Sequence, residues 1–379
     1  AHKCMNKCPK QAISIHQNRA YIDKSKCIEC GMCKKVCPYG AIIEVSRPCE
    51  RACPLDAITA GADRKAKIDT QKCVQCGACR SACPFGAIDE RSSIVQLIQT
   101  IKSGQQVYAL LAPSFIGQLG FKVTPEQIVA AIKKMGFAGV EEVAVGADMA
   151  ALHEAEEFME KVPAQQSFIT SSCCSSFVSL IKQHLPEHID KISTTVSPMV
   201  ACGRYVKTKY PDAVTVFIGP CIAKKGEARQ FSDAIDYVLT FEELFCMLEG
   251  AGIDPAAVTP EEYATKASGF GISFPLHKGV QGAVAHALQE AGRPEPAMHY
   301  ASGLEHCLEE LQEVIDGKIK CELVEGMACD RGCIDGPGGL TEPGLVTVLL
   351  KKYAAEAQQK KLHDDNEAVE AVKKVNMKV

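Results

Sequence analysis

Cysteine is the residue whose spacing most directly implies chemistry in this chain. Cys27, Cys30, Cys33, Cys37 with Pro38, and Cys73, Cys76, Cys79, Cys83 with Pro84, repeat one C-x2-C-x2-C-x3-C-P pattern. Thiolates at that spacing close around a cube of soft iron and sulfide, and Gly31 and Gly77 allow the tight turns that wrap it. A different arrangement occurs at residues 171–177, SerSerCysCysSerSerPhe. Consecutive Cα atoms lie about 3.8 Å apart, below the roughly 4.4 Å that an unstrained disulfide needs. Cys173 and Cys174 either pack as small hydrophobes or, pointing to opposite sides of an extended backbone, do different jobs.

Composition narrows the setting. A chain of 379 residues accommodates two or three domains with their own cores. A net charge of −4 and the lack of any polybasic run argue against a nucleic-acid partner. No apolar run approaches the roughly 18 to 20 residues of a membrane span, and no signal peptide is visible. Of 21 cysteines, 12 precede residue 92 and nine follow it, which marks a domain boundary. Their fixed spacings favour metal over disulfides and predict a reducing, cytoplasmic compartment.

The full cysteine runs resemble the bacterial ferredoxin signature, and each is preceded by a shorter echo: Cys4, Cys8, Pro9, and Cys49, Cys53, Pro54. All four segments continue into AlaIle, so residues 1–92 form a duplicated iron-sulfur region, incomplete at its N-terminus. Near-equal spacings assign one 4Fe-4S cluster to Cys8, Cys27, Cys30 and Cys33 and another to Cys53, Cys73, Cys76 and Cys79. Cys4 and Cys37 fit a further cluster if two ligands lie upstream. Cys49 and Cys83 lack two partners, because Ile43 and Ser46 stand where cysteines are expected. These four are either structural or remnants of a lost cluster. Zinc is the alternative for the full runs, disfavoured by the third C-x2-C step and the trailing proline.

From residue 93 the pattern is α/β. The sequence predicts helices over 94–102, 125–135 and 147–161, and strands over 107–112, 140–145, 167–170, 213–218, 236–239, 297–300 and 319–324. Thr124, Pro125 and Gln127 signal a capped helix start. The expected fold is a two-lobed catalytic domain over 93–379, with mainly parallel sheets and lobes of about 93–211 and 212–379, behind ferredoxin-like α+β modules. Ligands of such sheets bind beyond the carboxyl ends of the strands. AlaProSer (112–114), SerSerCysCys (171–174), GlyProCysIleAlaLysLys (219–225) and GluGlyMetAlaCysAspArgGlyCys (325–333) all fall there. Cys174, Cys221, Cys329 and Cys333 thereby offer four thiols from three loops, the donor set of a buried iron site.

These segments resemble the three signatures of the iron-only (FeFe) hydrogenases, and the ferredoxin-like N-terminus belongs to the same family. The resemblance implies a 4Fe-4S cube joined to a two-iron centre that carries CO, cyanide and azadithiolate. By motif, Cys174, Cys221, Cys329 and Cys333 would hold the cube, Lys224 and the Ala112, Pro113 and Ser114 segment would meet the cyanides, and Met327 would pack beside the iron pair. Cys173, Glu154, Glu157 and Ser193 would relay protons, the two glutamates sharing a helix face at a three-residue spacing. The implied reaction is 2H+ + 2e− ⇌ H2, with ferredoxin or a similar low-potential carrier and maturation proteins as partners. The alternatives are a non-catalytic iron-sulfur assembly relative or a slow hydrogen sensor. Ser175, Phe177, Met199, Gly219, Gly339 and Leu340 depart from the common pattern and indicate a divergent branch.

The remaining signals are weaker. Cys202, Cys246, Cys307 and Cys321 read as core residues, and His286 as packed. Pro186 between His184 and His188 argues against a helical metal pair. Residues 363–379 read as a charged surface helix.

Overall fold

The structure, a computed structural model, describes residues 2–17, 19–28, 30–43, 47–61, 63, 65–162, 164–261, 263, 265–357, 361–363 and 367–379. Ser46 lies outside them. The chain forms two compact units, residues 1–51 and 52–379.

In the first unit, helix Lys3–Asn6 leads into an antiparallel hairpin of β1 (Ile13–His16) and β2 (Arg19–Ile22), followed by helix Met32–Val36. The second repeat has the same sequence of elements: helix Pro48–Arg51, hairpin β3 (Ile58–Ala60) with β4 (Ala66–Ile68), and helix Ala78–Ser81. Its hairpin and cysteine loop belong to the larger unit, so the compact division falls at Arg51 and not near residue 92. Leu55 and Val74 explain why, since both sit in a core with Phe177, Leu180, Leu311 and Val324. Arg80 adds polar ties, pairing with Glu90 at 2.7 Å and Glu242 at 2.5 Å and donating to the Pro337 carbonyl at 2.8 Å.

The rest of the larger unit holds β5 (Val107–Leu111), β6 (Gly139–Glu142), β7 (Ile169–Thr170), β8 (Val214–Ile218), β9 (Tyr237–Leu239), β10 (Met298–Ser302) and β11 (Leu323–Met327). They make a four-stranded sheet, β6-β5-β8-β9, and a three-stranded sheet, β10-β11-β7, every pairing parallel. Parallel neighbours need crossover connections, and here helices cover the sheets. The strands interleave along the chain: β7 joins the later strands, whereas β8 and β9 join the earlier ones. Neither sheet is therefore confined to one side of residue 211.

Several boundaries depart from the expected ones. The Thr124 capping box forms as expected, but the next helix begins at Val143, four residues early, because Val143, Ala144, Val145 and Ala147 are buried all round and carry no strand alternation. The last strand runs 323–327, so Glu325, Gly326 and Met327 lie within the sheet and not in the loop after it. Gly326 is required there, since a Cβ would fall 2.2 Å from the Phe177 ring. Cys202 and Cys307 are core residues. Cys246 is exposed, because its helix buries Phe241, Leu244 and Leu248 on the other face, and Cys321 is half-buried. The tail is no plain surface helix: its described helix Glu367–Val372 buries Ala368 and Ala371, and the Met377 carbonyl accepts from Val196 N at 2.8 Å. His184 ends a helix and meets the Lys72 carbonyl, while His286 stacks on Phe270 at 4.0 Å.

Gly77 shows how tightly the second cysteine loop is seated. Its φ is +84°, and a Cβ there would lie 2.6 Å from Pro337 Cγ and 2.7 Å from Ile222 Cδ1. Gly31, at the same place in the first repeat, has φ +67° and open space around it. Gly77→Ala is expected to destabilise the protein by about 1–3 kcal/mol, and Gly31→Ala by less, as read from anaerobic chemical denaturation.

Candidate metal and proton-transfer site

The carboxyl ends of β5, β7, β8 and β11 open onto one cavity with about 850 Å³ of space not filled by atoms, its mouth included. Cys174, Cys221, Cys329 and Cys333 all line it, as do Cys173, Lys224, Met327, Ala112, Pro113 and Ser114. The cysteines are only partly covered, because they face this cavity. Burial pushes the thiols of Cys221, Cys329 and Cys333 up, and the neighbouring cysteines push each of them further. Groups that raise one another in this way are held close together away from water, and iron binding would expel their protons. Ser114 is 1% exposed, and its hydroxyl has no hydrogen-bond partner among the described residues. Four soft donors, a buried cation and an unpartnered hydroxyl around one cavity fit an iron-sulfur group carrying anionic ligands.

The three-residue turn Pro113–Phe115 follows β5 and fixes Ser114. Gln118 braces it: Nε2 donates to the Ser114 carbonyl at 3.1 Å, while Oε1 accepts from Leu340 N at 2.7 Å. Sequence reasoning gave Gln118 no role. Lys224 donates to the Cys173 carbonyl at 3.0 Å and pairs with Glu227 at 2.5 Å. Burial opposes its charge, but the Glu227 and Cys221 charges outweigh that and raise its pKa. Ser175, where the family pattern has proline, donates to Glu227 Oε2 at 2.6 Å. Met199 lines the cavity wall, and Gly219 is forced, since a Cβ would meet the Phe217 ring at 2.7 Å and Ala112 Cβ at 2.9 Å.

The helix Val143–Lys161 sorts its carboxylates by face. Glu156 and Glu160 are exposed, whereas Glu154 and Glu157 are 2% and 5% exposed. Burial, reinforced by the Glu157 charge, raises Glu154 to about 8, so it holds a proton at neutral pH. Burial also opposes ionisation of Glu157, but Lys161, Ser193 and Thr194 overcome it and lower its pKa to about 2. Lys161 Nζ lies 2.6 Å from Glu157, Ser193 Oγ donates to it at 2.6 Å, and Thr194 gives its N–H at 2.9 Å and its hydroxyl at 2.8 Å. Glu154 approaches Ser193 and the Ser172 backbone, and its charge also raises the Cys173 thiol, though burial is the larger cause. Ser193 thus bonds Glu157 directly, while Glu154 is tied to Ser193 by proximity and to Cys173 through its charge.

A second cavity of the larger unit is lined by Cys53, Cys73, Cys76 and Cys79, the set that spacing assigns to one cluster. Cys76 also lines the first cavity. Its thiol is raised to about 11 by burial and then by the Cys79, Cys53 and Cys73 charges. The recurrent AlaIle has a physical reason: Ala12 N donates to Cys8 Sγ at 3.3 Å, and Ala57 N and Ala87 N donate to Cys53 and Cys83 Sγ at 3.4 Å. Backbone N–H groups, first those of Tyr39 and Phe85, likewise lower the Cys37 and Cys83 thiols. Cys27, Cys30 and Cys33 flank and enter the helix Met32–Val36 in the first unit, where Cys4 lies on helix Lys3–Asn6, and Cys49 is buried.

Residues 105–337 match the family "Iron only hydrogenase large subunit, C-terminal domain", and residues 20–43 and 43–94 match a 4Fe-4S binding domain and the LdpA Fe-S cluster-binding domain. The chain is 29% identical to a periplasmic Fe hydrogenase large subunit of Nitratidesulfovibrio vulgaris, covering 86% of this chain and 88% of that protein. It is 28% identical to iron hydrogenase 1 of Clostridium pasteurianum, covering 88% of this chain and 67% of the relative. It is also 26% identical to cytosolic iron-sulfur assembly component 3 of Bos taurus, covering 66% of this chain and 64% of the relative. A solved FeFe hydrogenase from Chlamydomonas reinhardtii shares the fold, with TM-score 0.60 and 18% identity over 75% of this chain and 94% of that one. The chain therefore belongs to the iron-only hydrogenase family, as a divergent member with ferredoxin-like 4Fe-4S modules ahead of its catalytic domain.

Proposed function

We propose that this protein is a hydrogenase that catalyses 2H+ + 2e− ⇌ H2 in the cytoplasm, with electrons supplied by ferredoxin or a similar low-potential carrier. The observation that carries the reading is the single cavity into which four thiols, Lys224 and the proton-bearing series ending at Cys173 all converge. Cys174, Cys221, Cys329 and Cys333 would hold a 4Fe-4S cube, with Cys333 linking it to a two-iron centre that carries CO, cyanide and azadithiolate after maturation proteins supply it. That group supplies the metal redox chemistry; the chain supplies orientation, dryness and protons.

Lys224, held charged by Glu227, would donate to one anionic ligand, and the unpartnered Ser114 hydroxyl to the other. Met327, 1% exposed, packs against the site from β11 and keeps water out. Cys173 would exchange a proton with Glu154, whose pKa of about 8 suits it to hold or release one near neutral pH. Ser193 carries the proton onward, and Glu157 orients it. A proton rests only briefly on Glu157, because its partners hold it ionised. Electrons would enter from the cluster of Cys53, Cys73, Cys76 and Cys79, with Cys76 forming the wall common to both cavities. Cys8, Cys27, Cys30 and Cys33 would hold a second cluster in residues 1–51.

The non-catalytic assembly reading draws on the 26% identity to an assembly component. Infrared bands of CO and cyanide in the matured protein decide between them, and their absence alongside intact cubes would sink the hydrogenase reading. Cys174→Ala is expected to lose or damage the active-site cube. Cys173→Ala keeps the cube visible to paramagnetic spectroscopy and lowers turnover by about 10²-fold or more. Equal iron loss in both variants contradicts the division of labour.

Glu154 also makes a pH signature. Its pKa rises from 4.5 to about 8 in the folded chain, so folding binds a proton and this contribution to stability is lost as pH climbs between those values. Glu154→Gln removes the dependence. Its stability relative to the parent is expected to increase from pH ~5 to pH ~8, measured by anaerobic denaturation.

A further inference from the structure

The carboxylate of Glu325 has no part in the mechanism above, yet it is 0% exposed and sits on β11 two residues before Met327, on the same side of the strand. One oxygen, Oε2, accepts from Gln281 N at 2.8 Å, at the start of helix Gly279–Glu290. The other, Oε1, is buried without a hydrogen-bond partner among the described residues. Two more buried oxygens without a hydrogen-bond partner among the described residues, Glu154 Oε1 and Tyr300 Oη, belong to side chains that feel the Glu325 charge. Tyr300 is the register partner of Glu325 across the parallel pair β10-β11, so the two side chains stand side by side about 4.8 Å apart at the backbone. Glu325 also acts electrostatically on Glu154, Cys173 and Tyr300. On the far side, the Tyr300 ring meets exposed His277 edge to face, with centroids 3.9 Å apart. Lys278, next to His277, adopts φ +61°, a conformation that non-glycine residues seldom hold.

An anchoring carboxylate for the helix start explains Oε2 only. Burying Oε1 and two other oxygens without partners is unfavourable, and a purely anchoring role does not account for it. We propose that Glu325, Tyr300 and His277 form a second proton conduit, leaving the Cys173 end of the cavity separately from Ser193 and Glu157. The proposal rests on the hydrogenase reading. At each transfer the donor's O–H bond breaks as the acceptor's bond to hydrogen forms, O–H at Glu325 and Tyr300 and N–H at His277. Glu154 hands a proton to Glu325 Oε1, directly or through one bridging water. Tyr300 Oη takes it while releasing its own, so no charge remains on the phenol. The neutral His277 imidazole accepts that proton and gives it to solvent. Proton uptake runs the same steps in reverse. Glu325 carries its proton readily, since burial raises its pKa to about 8, matching Glu154.

The test uses the matured protein and Tyr300→Phe, which keeps the ring and leaves the Glu325–Gln281 bond in place. The carboxyl C=O stretch of Glu325 is identified as the infrared band lost in Glu325→Gln and shifted in Glu325→Asp. On transfer to D2O, Tyr300→Phe is expected to slow deuteration of that band at least about tenfold, with iron content and melting temperature unchanged. In a Glu157→Gln background, the same substitution is expected to lower the remaining turnover by about tenfold or more, because two parallel outlets are then closed. Deuteration and residual turnover both indifferent to Tyr300→Phe would overturn the proposal. A protein that makes no hydrogen but shows Tyr300-dependent deuteration fails the hydrogenase reading and leaves the conduit standing.

Discussion

The structure depends on keeping ionisable groups away from water at the carboxyl ends of two parallel sheets. Burial is the largest influence on Cys173, Cys329, Cys333, Glu154 and Glu325, and it raises every one of them. A charge in such a place is tolerated only when paired. Lys224 is paired with Glu227, and Glu157 with Lys161 and three hydroxyl or amide donors. Which buried groups stay charged thus follows from their position and partners more than from residue type.

Much of this was legible in the sequence. The thiol pairings Cys53 with Cys73, Cys76 and Cys79, and Cys174 with Cys221, Cys329 and Cys333, came from spacing, motif and the rule that ligands sit at strand ends. The cavities gather those same residues. The burial of Glu154 and Glu157 was also within reach, since a three-residue step puts both on one face. What escaped were interactions between segments with no periodic signature. Gln118 bracing Ser114, Ser175 completing the Glu227 pair and Tyr300 beside Glu325 depend on register between distant strands and loops. Glu325 was visible as the opening of a motif, but placing it in a loop hid its role. Only the shift of β11 to 323–327 turns it toward the sheet face.

The second iron-sulfur repeat shows how a duplicated sequence can diverge in packing while keeping its elements. Both repeats retain helix, hairpin and cysteine loop. The second buries Leu55 and Val74 in the catalytic core, fixes Gly77 against Pro337 and Ile222, and spreads Arg80 over acidic partners from both regions. It has ceased to be a detachable module.

That integration bears on Cys76, which lines both the cavity of Cys53, Cys73 and Cys79 and the cavity of Cys173 and Cys174. Cys76 is the cysteine that the two cavities have in common. Under the proposed function this shared residue would couple the two sites: a substitution that retunes the potential of a cluster held by Cys76 would also alter the field felt by Cys173 and Cys174. Selection acting on the preferred direction of electron flow and on proton handling would therefore meet the same few atoms, and neither property can drift freely while the other stays fixed.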